Sequence, residues 1–362
     1  IELQARVVND ASTEASDIFT NTAELRYANT PSGALAFIGS DTSATLTIVE
    51  PQLTVVKSVE NMTQSGLPPD AGDILRYTLT LTASGGGVVP ADFFSPAFDV
   101  SINDNLSPGL AYNGNLSVTG ANTINAPVIV GDGIATGQTL SWSEALGNAD
   151  IDVPEGAASA VTVIYDVIVL DEVLADQDLT NSVDIQWSSR DGPDVNERDG
   201  SGGNTPPGPA YNDYYSLTPA TTSLTTPDNT VVTKTRLTDT FGPGDNIVRI
   251  GDIIEYELRV TVQEGTSPSF VIEDNLPLGM QFEQTVSING QTSAPYAAVA
   301  PFTHAAIPAA VTSGDPTATA TTVTWNVGDL VNTGDNIAND DFVIVYRARL
   351  LNQVYPQANS IV

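Results

Sequence analysis

The sequence predicts an all-β protein of tandem immunoglobulin-like β-sandwich repeats with enlarged loops, strung end to end as a rod. Three observations carry this prediction. The 362 residues include 29 glycines and 23 prolines with abundant Thr, Val and Asn, and few helix formers, a composition of strands and turns. Short apolar runs alternate with period two, as in Leu75, Tyr77, Leu79 and Leu81 against Arg76, Thr78 and Thr80. Such alternation turns one strand face into a core and leaves the other to solvent. The chain also repeats itself, and a repeated strand pattern marks a tandem array.

The repeats fix the organisation. "GDILRYTLTLTASG" at 72–85 matches "GDIIEYELRVTVQEG" at 251–265, and "FDVSINDNLSPGLAY" at 98–112 matches "FVIEDNLPLGMQF" at 270–282. "TLSWSEALGNADI" at 139–151 matches "TVTWNVGDLVNTGDNI", and "VTVIYDVIVLDEVLADQDLTNSVDI" at 161–185 matches "FVIVYRARLLNQVYPQANSIV" at 342–362. The opening stretch "IELQARVVNDASTEASDIFTNTAEL" is a third copy of that last block. Residues 1–50 therefore read as the C-terminal part of an upstream sandwich, 51–227 as a complete sandwich, and 228–362 as a sandwich lacking its closing strand or strands. A sandwich short of strands leaves an open sheet edge. Either the chain is a window of a longer array, or the N-terminal strands of one copy complete the C-terminal sandwich of the next. The expected partners are thus adjoining repeats or copies of the chain, end to end.

Composition narrows the function. With 44 acidic and 12 basic residues the net charge is −32, which repels nucleic acid and anionic membrane surfaces. The chain has no cysteine and one histidine, His304, so thiolate zinc sites, disulfides and Ser-His-Asp chemistry are not expected. No apolar run approaches the ~20 residues of a membrane-spanning helix. Acid pairs are too common for any pair to mark a glycosidase, and no enzyme is expected.

The succession "VVKSV", "GDILRYTLTLT", "INDNLSPGLAY", "LTNSVDI", with the acidic loop "WSSRDGPDVNERDGSGGNTPPGPAYNDYY", resembles the surface-protein repeat known as domain of unknown function eleven. It is also similar to isopeptide-forming fimbrial domains. The resemblance spans nearly the whole chain through short motifs. It implies secreted surface proteins of bacteria or archaea (fibres, adhesins and envelope layers) at the cell surface, without enzymatic turnover.

The chain has only two lysines, Lys57 and Lys234, and both fall in the first strand of a repeat. Leu53, Val55, Lys57 and Val59 share a strand face, so Lys57 points with the apolar residues. Asn181 shares a face with Leu179 and Val183, and Asp104 with Val100 and Ile102. The downstream repeat offers Lys234, Asp274 and Asn359, although the face of Lys234 also carries Arg236. The upstream tail offers Asn21, whose lysine would lie outside the chain. A lone ammonium in a sandwich core costs several kcal/mol, so Lys57 must be neutralised, paired or consumed. Two outcomes stay open: a buried salt bridge to Asp104, or attack of a neutral amine on the Asn181 carboxamide assisted by an acid. The resemblance implies the second, with Lys57–Asn181 and Lys234–Asn359 as crosslinks. Asp104 and Asp274 fit the acid by phase, with Asp73 and Asp252 as the other choices.

The loop from 191 to 213 gathers Asp191, Asp194, Asn196, Glu197, Asp199 and Asp213 among glycines and prolines. These are oxygen ligands of the kind calcium takes, although the spacing is not that of an EF-hand. "GNADIDVPEG", "GPGDN" and "TGDNIANDD" are further candidates, and the alternative for each is a solvated acidic surface. Arg198 is placed to anchor the long loop by pairing with an acid. Tyr77, Tyr256, Trp142 and Trp325 recur between repeats as core residues. Tyr211, Tyr214 and Tyr215 are the nearest approach to an aromatic platform for a glycan or protein ligand. Asn61, Asn105 and Asn115 stand in glycosylation sequons.

Overall fold

A computed structural model describes the chain except for residues 1, 9–12, 87–94, 121–122, 157–158, 201–213, 217, 240–246, 336–338 and 353–362. Strands are almost the only regular secondary structure among the described residues, with one short 3-10 turn at Glu144–Leu146. Four N-terminal strands, β1 (Ile18–Phe19), β2 (Thr22–Tyr27), β3 (Ala36–Thr42) and β4 (Leu46–Thr47), pair as two antiparallel two-stranded ladders, β1 with β4 and β2 with β3. Their apolar side chains, Phe19, Leu25 and Phe37 among them, remain exposed.

The central strands are β5 (Glu50–Asn61), β6 (Ile74–Gly86), β7 (Phe98–Leu106), β8 (Leu110–Thr119), β9 (Thr123–Ile124), β10 (Val128–Val130), β11 (Gln138–Trp142), β12 (Ala149–Asp150), β13 (Val161–Val169), β14 (Asp178–Ser188) and β15 (Ala220–Thr225). They build an antiparallel sandwich: a four-stranded sheet in the order β5-β6-β13-β8 and a five-stranded sheet in the order β10-β11-β7-β14-β15. Alternation sets each register. Leu75, Tyr77, Leu79 and Leu81 on β6 are at most 1% exposed, while Arg76, Thr78 and Thr80 stay partly solvated. Slipping β6 by one residue against Val161–Ile168 of β13 would turn every one of these leucines outward, at about 1.5–3 kcal/mol each.

The C-terminal strands are β16 (Val231–Asp239), β17 (Ile253–Val262), β18 (Gly265–Leu276), β19 (Met280–Ile288), β20 (Phe302–Thr303), β21 (Val311–Ser313), β22 (Thr321–Asn332) and β23 (Asp340–Leu350). One sheet runs β16-β17-β23-β19; the other runs β18-β22-β20, with β21 also on β22. A separate hydrophobic core, including Trp325, Phe342, Ile344 and Tyr346, fills this second sandwich. The two sandwiches differ at one place. β7 is hydrogen-bonded on both sides, by β11 and β14, whereas its counterpart β18 is paired only by β22 among the described residues.

Candidate functional site

The site begins with three strands that bring unlike residues to one core. β5 pairs with β6 so that Lys57 stands opposite Leu79. In the facing sheet, β7 sets Asp104 opposite Val183 of β14, and Asn181 lies two residues further along β14, opposite Leu106. The alternation that buries Leu53 therefore also buries Lys57.

The Lys57 Nζ lies 2.6 Å from Asp104 Oδ2, and neither side chain has any exposed surface. The Tyr165 hydroxyl, from β13, donates to the same oxygen at 2.6 Å. Asn181 Nδ2 in turn donates to the Tyr165 hydroxyl at 3.0 Å. Lysine amine, carboxyl and carboxamide are thus joined through Asp104 and Tyr165. Stacked rings wall the group: Tyr77 lies on Tyr165 at 5.7 Å, Trp142 approaches Tyr165 at 5.8 Å, and the Lys57 amine sits 5.3 Å from the Tyr77 ring centre.

Two buried oxygens, Asp104 Oδ1 and Asn181 Oδ1, have no hydrogen-bond partner. An ionised carboxylate cannot donate to an amide oxygen, whereas a protonated one can, and a bare buried acceptor is costly. Burial acts in the direction of the neutral forms. It pulls the Lys57 amine down to about 8 against the opposing pull of Asp104, and it raises Asp104 above the usual carboxylate range despite Lys57. Amine plus carboxylic acid carries the same single proton as ammonium plus carboxylate, so the core can interconvert the two without exchanging a proton with water. The neutral pair is the state in which an amine attacks a carboxamide.

The C-terminal sandwich repeats the arrangement in a more open form. Lys234 Nζ lies 2.7 Å from both carboxylate oxygens of Asp274, and the Tyr346 hydroxyl donates to Asp274. Tyr256 stacks on Tyr346 at 5.5 Å, and Lys234 lies 4.6 Å from the Tyr256 ring centre. The Lys234 side chain nevertheless keeps 37% of its surface exposed. The reason is the uncovered side of β18: in the central sandwich β14 and β15 lie against β5, and no described strand takes their place over β16. Asn359 lies outside the described residues. Asn21 is exposed at the entry to β2, its backbone N–H bonded to the Ser43 hydroxyl.

Of the other acids considered, Asp73 accepts from Asn61 Nδ2 at 2.7 Å and Asp252 accepts from the Arg249 backbone at 2.6 Å. Both cap strand entries, away from the lysines. Tyr165 and Tyr346 were legible only as matched tyrosines in the paired blocks "VIYDV" and "VIVYR". Nothing in strand phase alone gives a tyrosine the role of bridging acid and amide.

Among its described residues the acidic loop does not close on one centre. Asp194 is occupied by the Asn196 backbone N–H at 2.9 Å and lies 3.4 Å from Arg6 and 3.3 Å from Arg190. Glu197 accepts from the Ser188 hydroxyl at 3.0 Å, and the backbone carbonyl of Asp199 accepts from Gln186. Asp213 lies outside the described residues. Asp191 instead joins Asp99 and Asp152, with carboxylate oxygens within 4.8 Å of one another. Burial and hydrogen bonding to Glu144 push Asp99 up to about 6. Asp152 reaches Asp99 where Ala97 and Val100 bond to Val153 and Ile151, and the Gly192 N–H donates to Asp99 Oδ2 at 3.0 Å beside Asp191. Arg198 does anchor the loop, pairing with Glu50 and, at 3.6 Å, with Glu14.

The tyrosine platform is not exposed as a unit. Tyr214 is 3% exposed and packs edge-on against Trp187 at 6.1 Å, beside a cleft of about 560 Å³, and Tyr211 lies outside the described residues. Asn61, 5% exposed, holds Asp73 and two backbone N–H groups, which removes it as a glycan acceptor in the folded chain. Asn105 and Asn115 are also engaged, accepting from Thr139 and donating to Asp166.

No protein-family model and no curated protein matches the chain. Among solved structures, the chain is 12% identical to the C-terminal domain of the Streptococcus pyogenes antigen I/II-family protein AspA, over 84% of this chain and 92% of that one, with a TM-score of 0.26. It is 12% identical to the T6 backbone pilin of serotype M6 Streptococcus pyogenes, over 87% of this chain and 65% of that one, with a TM-score of 0.25. A structure described as BspA_C_mut is 13% identical over 82% of this chain and 90% of that one, with a TM-score of 0.26. At these TM-scores the chains do not superpose as wholes, and the functional reading rests on the buried lysine site.

Proposed function

We propose that this chain is a non-enzymatic structural segment of an extracellular fibre, large adhesin or envelope layer, stiffened by an amide bond between Lys57 and Asn181. The observation that carries the reading is the fully buried Lys57–Asp104 pair joined through Tyr165 to the Asn181 amide. In the reaction, Lys57 Nζ bonds to Asn181 Cγ while the Cγ–Nδ2 bond breaks and ammonia leaves. Asp104 lends its proton to the carbonyl oxygen, takes one from the attacking amine and passes it to the departing nitrogen, and recovers the first as the carbonyl re-forms, ending as it began. The bond ties the first strand of one sheet to a late strand of the other. A pulling force along the chain then cannot extend the residues between them.

Lys234 and Asp274 are held ready for the same chemistry, with the amide supplied by Asn359 or by Asn21 of a second copy. Intact mass of the purified chain tests these readings together. Each intramolecular bond removes one ammonia, roughly 17 Da. A Lys57→Ala variant should lack one such decrement, and a bond through Asn21 should appear as a covalent multimer. An unshifted monomer mass overturns the crosslink.

Calcium is proposed at the Asp99, Asp152 and Asp191 carboxylates, which converge as oxygen ligands for a hard cation. Melting in calcium should then exceed melting in chelator, and an Asp99→Asn variant should lose that difference. Identical curves for the parent chain would leave the trio a solvated acidic surface.

A further inference from the structure

The core around Lys57 holds an orphaned polar atom besides Asp104 Oδ1 and Asn181 Oδ1. Thr222 Oγ1, on β15, is buried and has no hydrogen-bond partner. Thr222 stands directly opposite Asn181, in a ladder that also sets Leu224 against Leu179 and Ala220 against Val183. Ala220 and Leu224 pack on the hydrophobic core, while Thr221, Ser223 and Thr225 face solvent. Alternation therefore turns Thr222 inward, on the face that carries Asn181. Packing alone would be served by valine, which has the same shape and no hydroxyl to leave unpaired. Residues directly opposite across an antiparallel pair have β-carbons about 4.5–5.5 Å apart. At that separation a threonine hydroxyl reaches the end of an asparagine side chain by turning about χ1.

The Asn181 carboxamide has two unlike ends. Its nitrogen donates to the Tyr165 hydroxyl at 3.0 Å, and its oxygen is the end without a partner. Within its own sheet, the neighbours of Asn181 on the inward face are Leu106 and Asp104 of β7 and Ala220, Thr222 and Leu224 of β15. Of these, only Asp104 and Thr222 carry hydrogen-bonding side chains. A carbonyl oxygen accepts two hydrogen bonds. The proton of a neutral Asp104 supplies one, and the Thr222 hydroxyl is placed to supply the other.

We propose that the Thr222 hydroxyl donates to the Asn181 carbonyl oxygen as Lys57 attacks, and so acts beside Asp104 as a second oxyanion donor for the crosslink. The inference rests on the Lys57–Asn181 reading given above. As Lys57 Nζ bonds to Asn181 Cγ, the π electrons of the carbonyl move onto Oδ1 and the carbon becomes tetrahedral. The oxygen leaves the amide plane and gains electron density, which the Asp104 proton and the Thr222 hydroxyl stabilise. As the Cγ–Nδ2 bond breaks and ammonia leaves, the electrons return to the carbonyl. Thr222 neither gains nor loses a proton. A donor that is unpaired in the resting chain and engaged at the tetrahedral stage accelerates the reaction, because its interaction is stronger there than with the starting amide.

The test follows bond formation in full-length chain isolated unbonded in urea and returned to buffer, for the parent, Thr222→Val and Thr222→Ser. Arginine-specific digestion of acid-quenched samples releases residues 27–76 and 77–190, which are separate before the bond forms and joined through Lys57 and Asn181 afterwards. Thr222→Val keeps the shape and the strand preference but removes the donor, and its joining rate should fall about ten- to a hundredfold. Thr222→Ser keeps the donor without the methyl group and should join within about threefold of the parent rate. Because Thr222 does not titrate, the deficit of Thr222→Val should be the same factor at pH 7 and at pH 9. A Thr222→Val chain that joins as fast as the parent, or a Thr222→Ser chain as slow as Thr222→Val, overturns the role of Thr222 and leaves the bond standing. A parent that never joins the two peptides overturns the Lys57–Asn181 reading itself, and this inference with it.

Discussion

A Lys57→Met, Asp104→Leu double variant should unfold with about 5 kcal/mol less stability than the parent, a loss of roughly 10–20 °C in melting temperature for a sandwich of this size. The double variant matters because the single one is ambiguous. Lys57→Met alone leaves a buried carboxyl without its partner, which costs about 3–5 kcal/mol whether or not an amide bond exists. Removing both groups abolishes that penalty. If Lys57 and Asp104 form only an ion pair, exchanging the pair for well-packed apolar side chains is neutral or stabilising. If Lys57 is bonded to Asn181, the double variant still loses a covalent link closing a loop longer than the ~100 residues for which chain entropy gives nearly 5 kcal/mol. Denaturant midpoints of the parent, both single variants and the double variant decide the matter. A double variant at or above the stability of the parent removes the crosslink and leaves the salt bridge.

Much of this was legible from the chain, and the part that was not has a physical cause. Period-two alternation placed Lys57, Asp104 and Asn181 on inward faces, because a strand has two faces and leucine or valine neighbours name the inner one. Repeat matching supplied the strands to be brought together. Neither signal reports what crosses from sheet to sheet, so the bridging role of Tyr165 was invisible, although Tyr346 repeats its hydrogen bond to the acid by donating to Asp274. The solvation of Lys234 was half legible: Arg236 on its face disturbed the pattern, and the exposure reflects a missing neighbour strand rather than anything local. The acidic loop misled because proximity in sequence stood in for proximity in space. Asp191 meets Asp99 and Asp152 across long stretches of chain, while Asp194 spends its oxygens within its own turn and on arginines.

Asp104→Asn should leave the central sandwich folded but unbonded, its mass higher by roughly 17 Da than the parent after allowing for the substitution. An amide at position 104 can neither lend a proton to the Asn181 carbonyl nor carry one from the amine to the departing nitrogen. Tyr165→Phe should act differently. It keeps the ring stacked between Tyr77 and Trp142 but removes the hydroxyl that holds Asp104 and the Asn181 amide in line. Tyr165 is a positioning residue, so its loss should slow bond formation without changing the pH dependence that Asp104 imposes. That dependence has a definite sign. The reacting state holds one proton on the Lys57–Asp104 pair, and Lys57 releases its proton at about 8. Above that pH the pair becomes amine plus carboxylate, the acid is gone, and the rate should fall by up to about tenfold per pH unit. Ordinary acylation of a solvated lysine accelerates over the same range, because there the amine is the only group that must lose a proton. Mass spectra taken during refolding of freshly made Tyr165→Phe chain between pH 6.5 and 9.5 separate the two behaviours. A rate that climbs steadily with pH assigns Asp104 no part in the bond.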